Sequence, residues 1–330
     1  MNVFQKSTYY LSLVFSTLMV YFVFAENPMH LGSIIGYVLA GYILMHLSVK
    51  FKEHKKTMIL MIFLAGLPLV LVKVLAVFKI SGLGFLGISY MTFKLIQIII
   101  EIYDGLIEKP MGPLDYVHFL LFFPALSSGP IDRSRRFLED WKKQRTKDEY
   151  LELAGTGLFR LVLGLFYKLV ISGMVFQQMT SIRYKDFSFF VIYMYLYTAY
   201  LFFDFAGYSL MAVGASNILG IETPMNFNVP FISVDIKDFW NRWHITLSTW
   251  LRDFVFSRIV MRFMRKKIFK KRLTTAMVAY MINMTFMGFW HGITLNYIAY
   301  GFYHGILMAA FEWYQKKSKF YKKNKNKTWY

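Results

Sequence analysis

The 330-residue chain has no cysteine. That excludes a disulfide framework, a Cys-based zinc or redox site and a thiol nucleophile. Acidic residues are scarce: 19 Asp and Glu stand against 38 Lys and Arg, a formal charge of +19. Charge of either sign is low, at 17% of the residues, where soluble domains carry about 25%. What is abundant is apolar. The chain is 56% hydrophobic and 19% aromatic, and its mean hydropathy is positive. This content excludes intrinsic disorder. In a soluble protein the basic excess would point to nucleic acid. In so apolar a chain it points to cytoplasmic loops and membrane lipids, and no nucleic-acid partner is expected.

A bilayer core about 30 Å thick takes about 20 apolar residues per helix. Stretches at 8–25, 31–49, 57–78, 85–103, 155–179, 187–212, 273–298 and 299–315 meet or approach that length. None carries the short apolar core and small-residue cleavage site of a removable signal peptide. The expected fold class is an all-α, multi-span integral membrane protein. One membrane domain is expected over 1–315, followed by a basic polar tail at 316–330.

The basic residues fall in four blocks, Lys50–Lys56, Arg133–Lys147, Arg258–Arg272 and Lys316–Lys327, with nearly neutral connections between them. The positive-inside tendency places all four in the cytoplasm. An even number of crossings must then separate each pair of blocks. The stretch 116–131, with Pro124, Gly129 and Pro130, cannot continue a helix and is expected to be re-entrant. The segment Thr223–Val255 must likewise enter and return, or lie along the interface. Irregular backbone at membrane depth is tolerated only inside protein or beside a water-filled cavity.

Ionisable groups in apolar spans are functional candidates by default. Lys94, Gln97 and Glu101 share one helical stripe; a Lys–Glu pair stitching helices together is the plain reading, a substrate pathway the other. Asp204 sits in a tyrosine-rich span, either as a buried acid met by a neighbouring cation or as a group that orients substrate. Of seven histidines, His30 and His54 belong to loops, and His46 and His118 have no polar company and read as structural. No pair has the HExxH spacing or an acidic cluster, so no metal site is expected. His244 lies in DFWNRWHITLSTWLRDF, which reads as one amphipathic helix. Asn241 at i−3 and Ser248 at i+4 then flank the imidazole. The alternative is an interfacial helix anchored by its tryptophans. His291 lies in MGFWHGIT, deep in an apolar run between Gly288 and Gly292, whose small size leaves room for a substrate or a close helix. Two other motifs fail. The GxGxxG run at Gly82–Gly87 has no βαβ context, and AGYSL around Ser209 lacks the second glycine of a nucleophile elbow.

In that order, FDFAGYSLMAVGASNILGI, FWNRWHITLSTWLRDFVF and GFWHGITLNYIAYGFYHG resemble the membrane-bound O-acyltransferase (MBOAT) family. YMTFKLIQIIIEIYDG and FFPALSSGPIDRSRRF narrow the resemblance to the branch that serves teichoic acid D-alanylation (DltB-like). The resemblance implies a ring of membrane helices around a thin centre, with an outer funnel and a tunnel to the cytoplasm. It implies His291 as the catalytic residue and His244 as the second family histidine. Family members run longer at both ends, and relative to them the chain reads as truncated before its first helix and after KNKNKTWY. The implied reaction moves D-alanine from a thioester on a carrier protein's phosphopantetheine arm to a hydroxyl acceptor. The acceptor would be teichoic acid or an intermediate, and other proteins of the D-alanylation system would be partners in the bacterial cell membrane. No bound cofactor is implied, because the carrier supplies the phosphopantetheine.

A thioester is already activated, so such an enzyme mainly needs a base for the hydroxyl, and an imidazole with an unperturbed pKa of about 6.5 suits that task. His244, Asn241, Ser248 and Asp204 are the candidates for orienting substrate or polarising its carbonyl. Arg262, Arg265, Lys266, Lys267, Lys270, Lys271 and Arg272 could steer an acidic carrier, or serve only topology and anionic lipid. The competing readings are a polysaccharide O-acetyltransferase of the same family, a transporter and a non-catalytic scaffold.

Overall fold

The computed structural model describes residues 3–79, 84–182 and 187–324, with side chains from residue 10 onward. Gly82 of the glycine run and the last lysines of the fourth basic block lie outside the described residues. The described residues are helical with no strand. They form two compact units, Met1–Gly66 with Gly82–Asn226, and Leu67–Ser81 with Phe227–Tyr330.

In the first unit, α1 (Val3–Phe24), α2 (Pro28–Lys50) and the start of α3 (Lys55–Val77) precede α4 (Ile88–Tyr103) and α5 (Pro113–Leu121). Asn27 caps α2 by accepting from the amides of Met29 and His30, and Pro28 pre-sets its first turn. Then come α6 (Ser134–Lys142), α7 (Lys147–Leu165), α8 (Ser172–Ser181) and α9 (Phe187–Ile218). A π-turn at Phe166–Ile171 joins α7 to α8, so that one helical run spans Lys147–Ser181. That run, α2, α3 and α9 are long and apolar enough to cross a membrane. The run packs closely on α9 through small residues. A Cβ on Gly157 would sit 2.7 Å from the carbonyl of Gly214, and one on Gly207 2.7 Å from the amide of Lys168.

The expected span 85–103 proves to be a core helix. At 16 residues α4 is about 24 Å long at 1.5 Å per residue, too short for the hydrocarbon core, and almost all of it is buried in protein. Hydropathy cannot tell lipid from protein as the apolar surrounding. Lys94, Gln97 and Glu101 are all buried, but Lys94 does not pair with Glu101. Its ammonium donates to the carbonyls of Phe119 (2.9 Å) and Leu120 (3.5 Å) at the C-terminal end of α5, where a helix leaves acceptors unmet. Glu101 instead accepts from Ser134 at 3.2 Å and Gln97 at 3.4 Å.

The stretch after α5 is irregular, with one 3₁₀ turn at Phe123–Ala125. It is enclosed by protein: Phe122, Pro124, Ala125 and Leu126 are all buried. That is the condition under which broken backbone survives at depth. Beyond it, burial pushes the Asp132 carboxyl up, while Arg136 and the Arg133 amide hold it down. His118 is buried and, against the expectation, has polar company. Its Nε2 lies 2.9 Å from the Ser12 hydroxyl, and its ring packs 3.8 Å from Trp141. The partner is 106 residues away, beyond any local pattern.

The second unit takes the C-terminal part of α3 and then α10 (Ile236–Arg242), α11 (Ile245–Leu251), α12 (Ser257–Arg265), α13 (Arg272–His291), α14 (Leu295–Lys317) and α15 (Lys319–Asn324). The break between the last two expected spans falls at residues 292–294, not after 298. Gly292 and the β-branched pair Ile293–Thr294 are weak helix formers in an apolar run, and hydropathy does not register the interruption. α13 and α14 pack tightly. A Cβ on Gly301 would sit 2.5 Å from the Met284 carbonyl and 2.9 Å from the Gly288 Cα.

Candidate active site

Asp235 opens α10 by accepting from the amides of Lys237 and Asp238. The helix ends at Arg242, whose carbonyl accepts from the Asn228 amide at 3.0 Å. Trp243 then leaves the helical path to pack against Phe227 (5.1 Å), Phe231 (6.3 Å) and Phe239 (5.6 Å). His244 takes a left-handed conformation (φ 45°, ψ 51°) before α11 begins. The amphipathic helix expected across this stretch is therefore two short helices, and Asn241 and Ser248 do not flank His244 at helical spacing. Burial of Trp243 overrides the local period. Its tryptophan neighbours are not lipid anchors either, since Trp240, Trp243 and Trp250 are all buried in protein. A non-glycine residue held left-handed costs about 1–3 kcal/mol and persists where the surrounding fold imposes it.

His244 is buried at 3% exposure, and His291, the last residue of α13, is exposed. The Trp290 ring lies between them in the contact chain, 6.5 Å from His244 and 4.7 Å from His291. Tyr297 stacks on His291 at 6.0 Å and 17°, and Tyr300 meets it edge-on at 6.1 Å. The α13–α14 turn thus presents one imidazole inside an aromatic rim, and Trp290 of that rim also contacts the ring of His244.

Asn241 and Ser248 line a partly open cavity of about 220 Å³ with Trp240, Asn283 and Tyr280. Neither His244 nor His291 lines it. The Ser248 hydroxyl donates to the Trp243 carbonyl at 3.2 Å, which leaves its oxygen free to accept. A π-turn at Arg252–Phe256 closes one side; such turns recur at functional sites. Asp204 belongs to the first unit, where it pairs with Lys168 inside the other π-turn. That is the bland alternative for this acid: its charge is met by a cation across the α7–α9 contact. The cations Arg262, Arg265, Lys266, Lys267, Lys270, Lys271 and Arg272 are all exposed and make no ion pair among the described residues. Met261, Met264 and Ile268 are exposed among them, an amphipathic mixture suited to an interface. No metal-binding cluster of His, Asp and Glu exists among the described residues.

Two residues escaped the sequence reading. Lys73 sits in the apolar helix α3 with its ammonium 3.5 Å from the His291 carbonyl. An ionisable group inside a candidate span was the signal. His304, one turn beyond Tyr300 on α14, lies 4.7 Å from Tyr300 and 5.1 Å from Trp240.

A chain whose described residues are helical, with four helices long and apolar enough to cross a membrane, reads as a membrane protein. Residues 105–330 match the family described as MBOAT, membrane-bound O-acyltransferase family. The chain belongs to that family. It is 45% identical over 244 residues to the teichoic acid D-alanyltransferase of Bacillus subtilis strain 168, covering 73% of this chain and 62% of that relative. Against the protein of the same name in Streptococcus thermophilus it is 44% identical over 289 residues, covering 84% and 69%. Against that of Lacticaseibacillus rhamnosus it is 37% identical over 317 residues, covering 89% and 78%.

Proposed function

We propose that the chain transfers D-alanine from a carrier-protein thioester to a hydroxyl acceptor for teichoic acid D-alanylation, with His291 as general base. The observation that carries this reading is the exposed His291 ring at the end of α13, rimmed by Tyr297 and Tyr300 and linked to His244 through the Trp290 ring. His291 takes the proton as the acceptor oxygen attacks the thioester carbonyl. The new C–O bond forms, the tetrahedral intermediate collapses with loss of the C–S bond, and the departing thiolate recovers the proton from the imidazolium. His244 orients the reacting groups. The Lys73 ammonium stabilises the oxyanion that develops on the carbonyl oxygen. The names of the relatives support the D-alanyl group and the teichoic acid acceptor.

The carrier docks from the cytoplasmic side on the exposed cations of α12 and the loop to α13, where charge steers an acidic partner. In reconstituted vesicles the chain should transfer D-alanine from the carrier thioester and not acetyl from an acetyl donor. Reversing Lys266, Lys267, Lys270 and Lys271 to Glu should raise the KM for the carrier at least tenfold at low salt and leave membrane insertion intact. Acetyl transfer would favour the O-acetyltransferase reading. An unchanged KM would remove the docking surface.

A further inference from the structure

The basic end of α14 carries an open groove of about 400 Å³. Residues 234–236 form one wall, and Leu307, Ala310, Phe311 and Tyr314 of α14 form the other. The first wall continues a loop that is firmly held. The amides of Ile232 and Ser233 donate to the carbonyls of Val229 and Pro230, each at 3.3 Å, and the Val234 amide donates to the Asp238 carboxylate at 3.3 Å. Val229 is fixed left-handed (φ 43°), a costly conformation for a β-branched residue. This loop still turns apolar side chains outward: Phe231, Ile232 and Val234 are each more than half exposed. Facing water, such a patch would be a liability. Facing acyl chains, which are as apolar as leucine, it is satisfied.

The second wall is one stripe of α14. Leu307, Ala310 with Phe311, and Tyr314 recur at i, i+3/i+4 and i+7. Lys317 is next on that stripe, three residues past Tyr314 and about 4.5 Å further along the axis. Lys316 and Lys317 are exposed and make no ion pair among the described residues. The acids on these walls do not oppose an anion there. Glu312 is buried and paired with Lys237, and Asp235 accepts from the first amides of α10. Trp313, half exposed, stands between the apolar stripe and the lysines, as tryptophan does where acyl chains meet headgroups. The groove far exceeds a water, whose share of liquid volume is about 30 Å³. Apolar walls, an aromatic boundary and unpaired cations follow one another in the order of a phospholipid's own parts.

We propose that this groove binds an anionic phospholipid: one acyl chain lies along Leu307, Ala310 and Tyr314 against Val234, and the phosphate meets Lys317 with Lys316 beside it.

The test uses the full chain in detergent micelles, read by native mass spectrometry, with phosphatidylglycerol and phosphatidylcholine of identical acyl chains. The wild type should retain one phosphatidylglycerol in preference to phosphatidylcholine. Lys316→Gln with Lys317→Gln should cut that preference by about fivefold for each lysine removed and leave phosphatidylcholine retention as it was. Ala310→Trp fills the groove and should abolish retention of both lipids, with the unfolding temperature measured alongside to separate a filled groove from a lost fold. A phosphatidylglycerol bearing a diazirine in one acyl chain gives the position independently of any variant, and its label should gather on Leu307, Phe311 and Val234. Equal retention of the two lipids by the wild type overturns the site, as does full retention by a folded Ala310→Trp chain. Label spread evenly over the exposed face of α14, Phe302 included, overturns it in favour of ordinary surrounding lipid. A lipid-free dimer does so in favour of a second copy of the chain.

Discussion

Replacing His291 with alanine should lower D-alanyl transfer by about 10²- to 10⁴-fold, the usual contribution of a positioned base, with the protein's abundance in the membrane unchanged. The two halves of this expectation have separate grounds. The ring is exposed and makes no side-chain hydrogen bond among the described residues. Among the described residues its ring contacts are with the rings of Trp290, Tyr297 and Tyr300. Its removal therefore costs little folding energy, and a loss of transfer reports chemistry. His291→Gln should fail equally, since an amide keeps the polarity but cannot take a proton. His244→Ala is a different experiment: that ring is buried, so its loss should reduce both transfer and thermal stability. Transfer by His291→Ala within a factor of a few of wild type would place the base elsewhere.

The second large effect is expected from Gly301→Val. A Cβ there would lie 2.5 Å from the Met284 carbonyl and 2.9 Å from the Gly288 Cα. Both obstacles are backbone, so α13 and α14 must move apart. Such overpacking typically costs about 1–3 kcal/mol. Here the same displacement carries Tyr297 and Tyr300 away from His291, so transfer should fall with the unfolding temperature in detergent. Gly36→Ala is the control. A Cβ at Gly36 meets nothing within 4 Å, and alanine is the better helix former, so that variant should match the wild type in both measurements. Equal unfolding temperatures for Gly301→Val and wild type would show that the close approach of the two helices is not needed.

These two cases also mark how far the sequence could be read. His291 stood out in the sequence because a histidine between glycines in an apolar run is expensive unless it is used, and the structure places it exposed at the end of α13. The small residues that point to it are the ones that let α13 and α14 meet. The membrane helices α2, α3 and α9 were legible from apolar length alone. The burial of α4 was not, because isoleucine, methionine and phenylalanine fit lipid and protein alike. Only its stripe of Lys94, Gln97 and Glu101 hinted that protein surrounds it, and the actual partner of Lys94 was two carbonyls of α5 rather than Glu101. The left-handed break at His244 was hidden for a related reason. The apolar period continues through it, and the contacts that win, Trp243 with Phe227 and Phe231, lie in a loop with no periodic signal. Asn241 and Ser248 were expected to flank His244 through a helical spacing that does not exist, and the cavity they share is not lined by that histidine.

The account stands on His291 working as a base in contact with water at membrane depth. The absence of native cysteine makes this directly measurable, because His291→Cys leaves a single thiol in the chain. A cationic methanethiosulfonate reagent, applied to both faces of opened vesicles, reacts only with thiolate exposed to water. Cysteine at 291 should be modified rapidly. Cysteine in place of Phe302, a residue 51% exposed on the apolar surface of α14, should resist. A thiol at 291 as inert as the one at 302 would place that side chain in lipid and contradict the account.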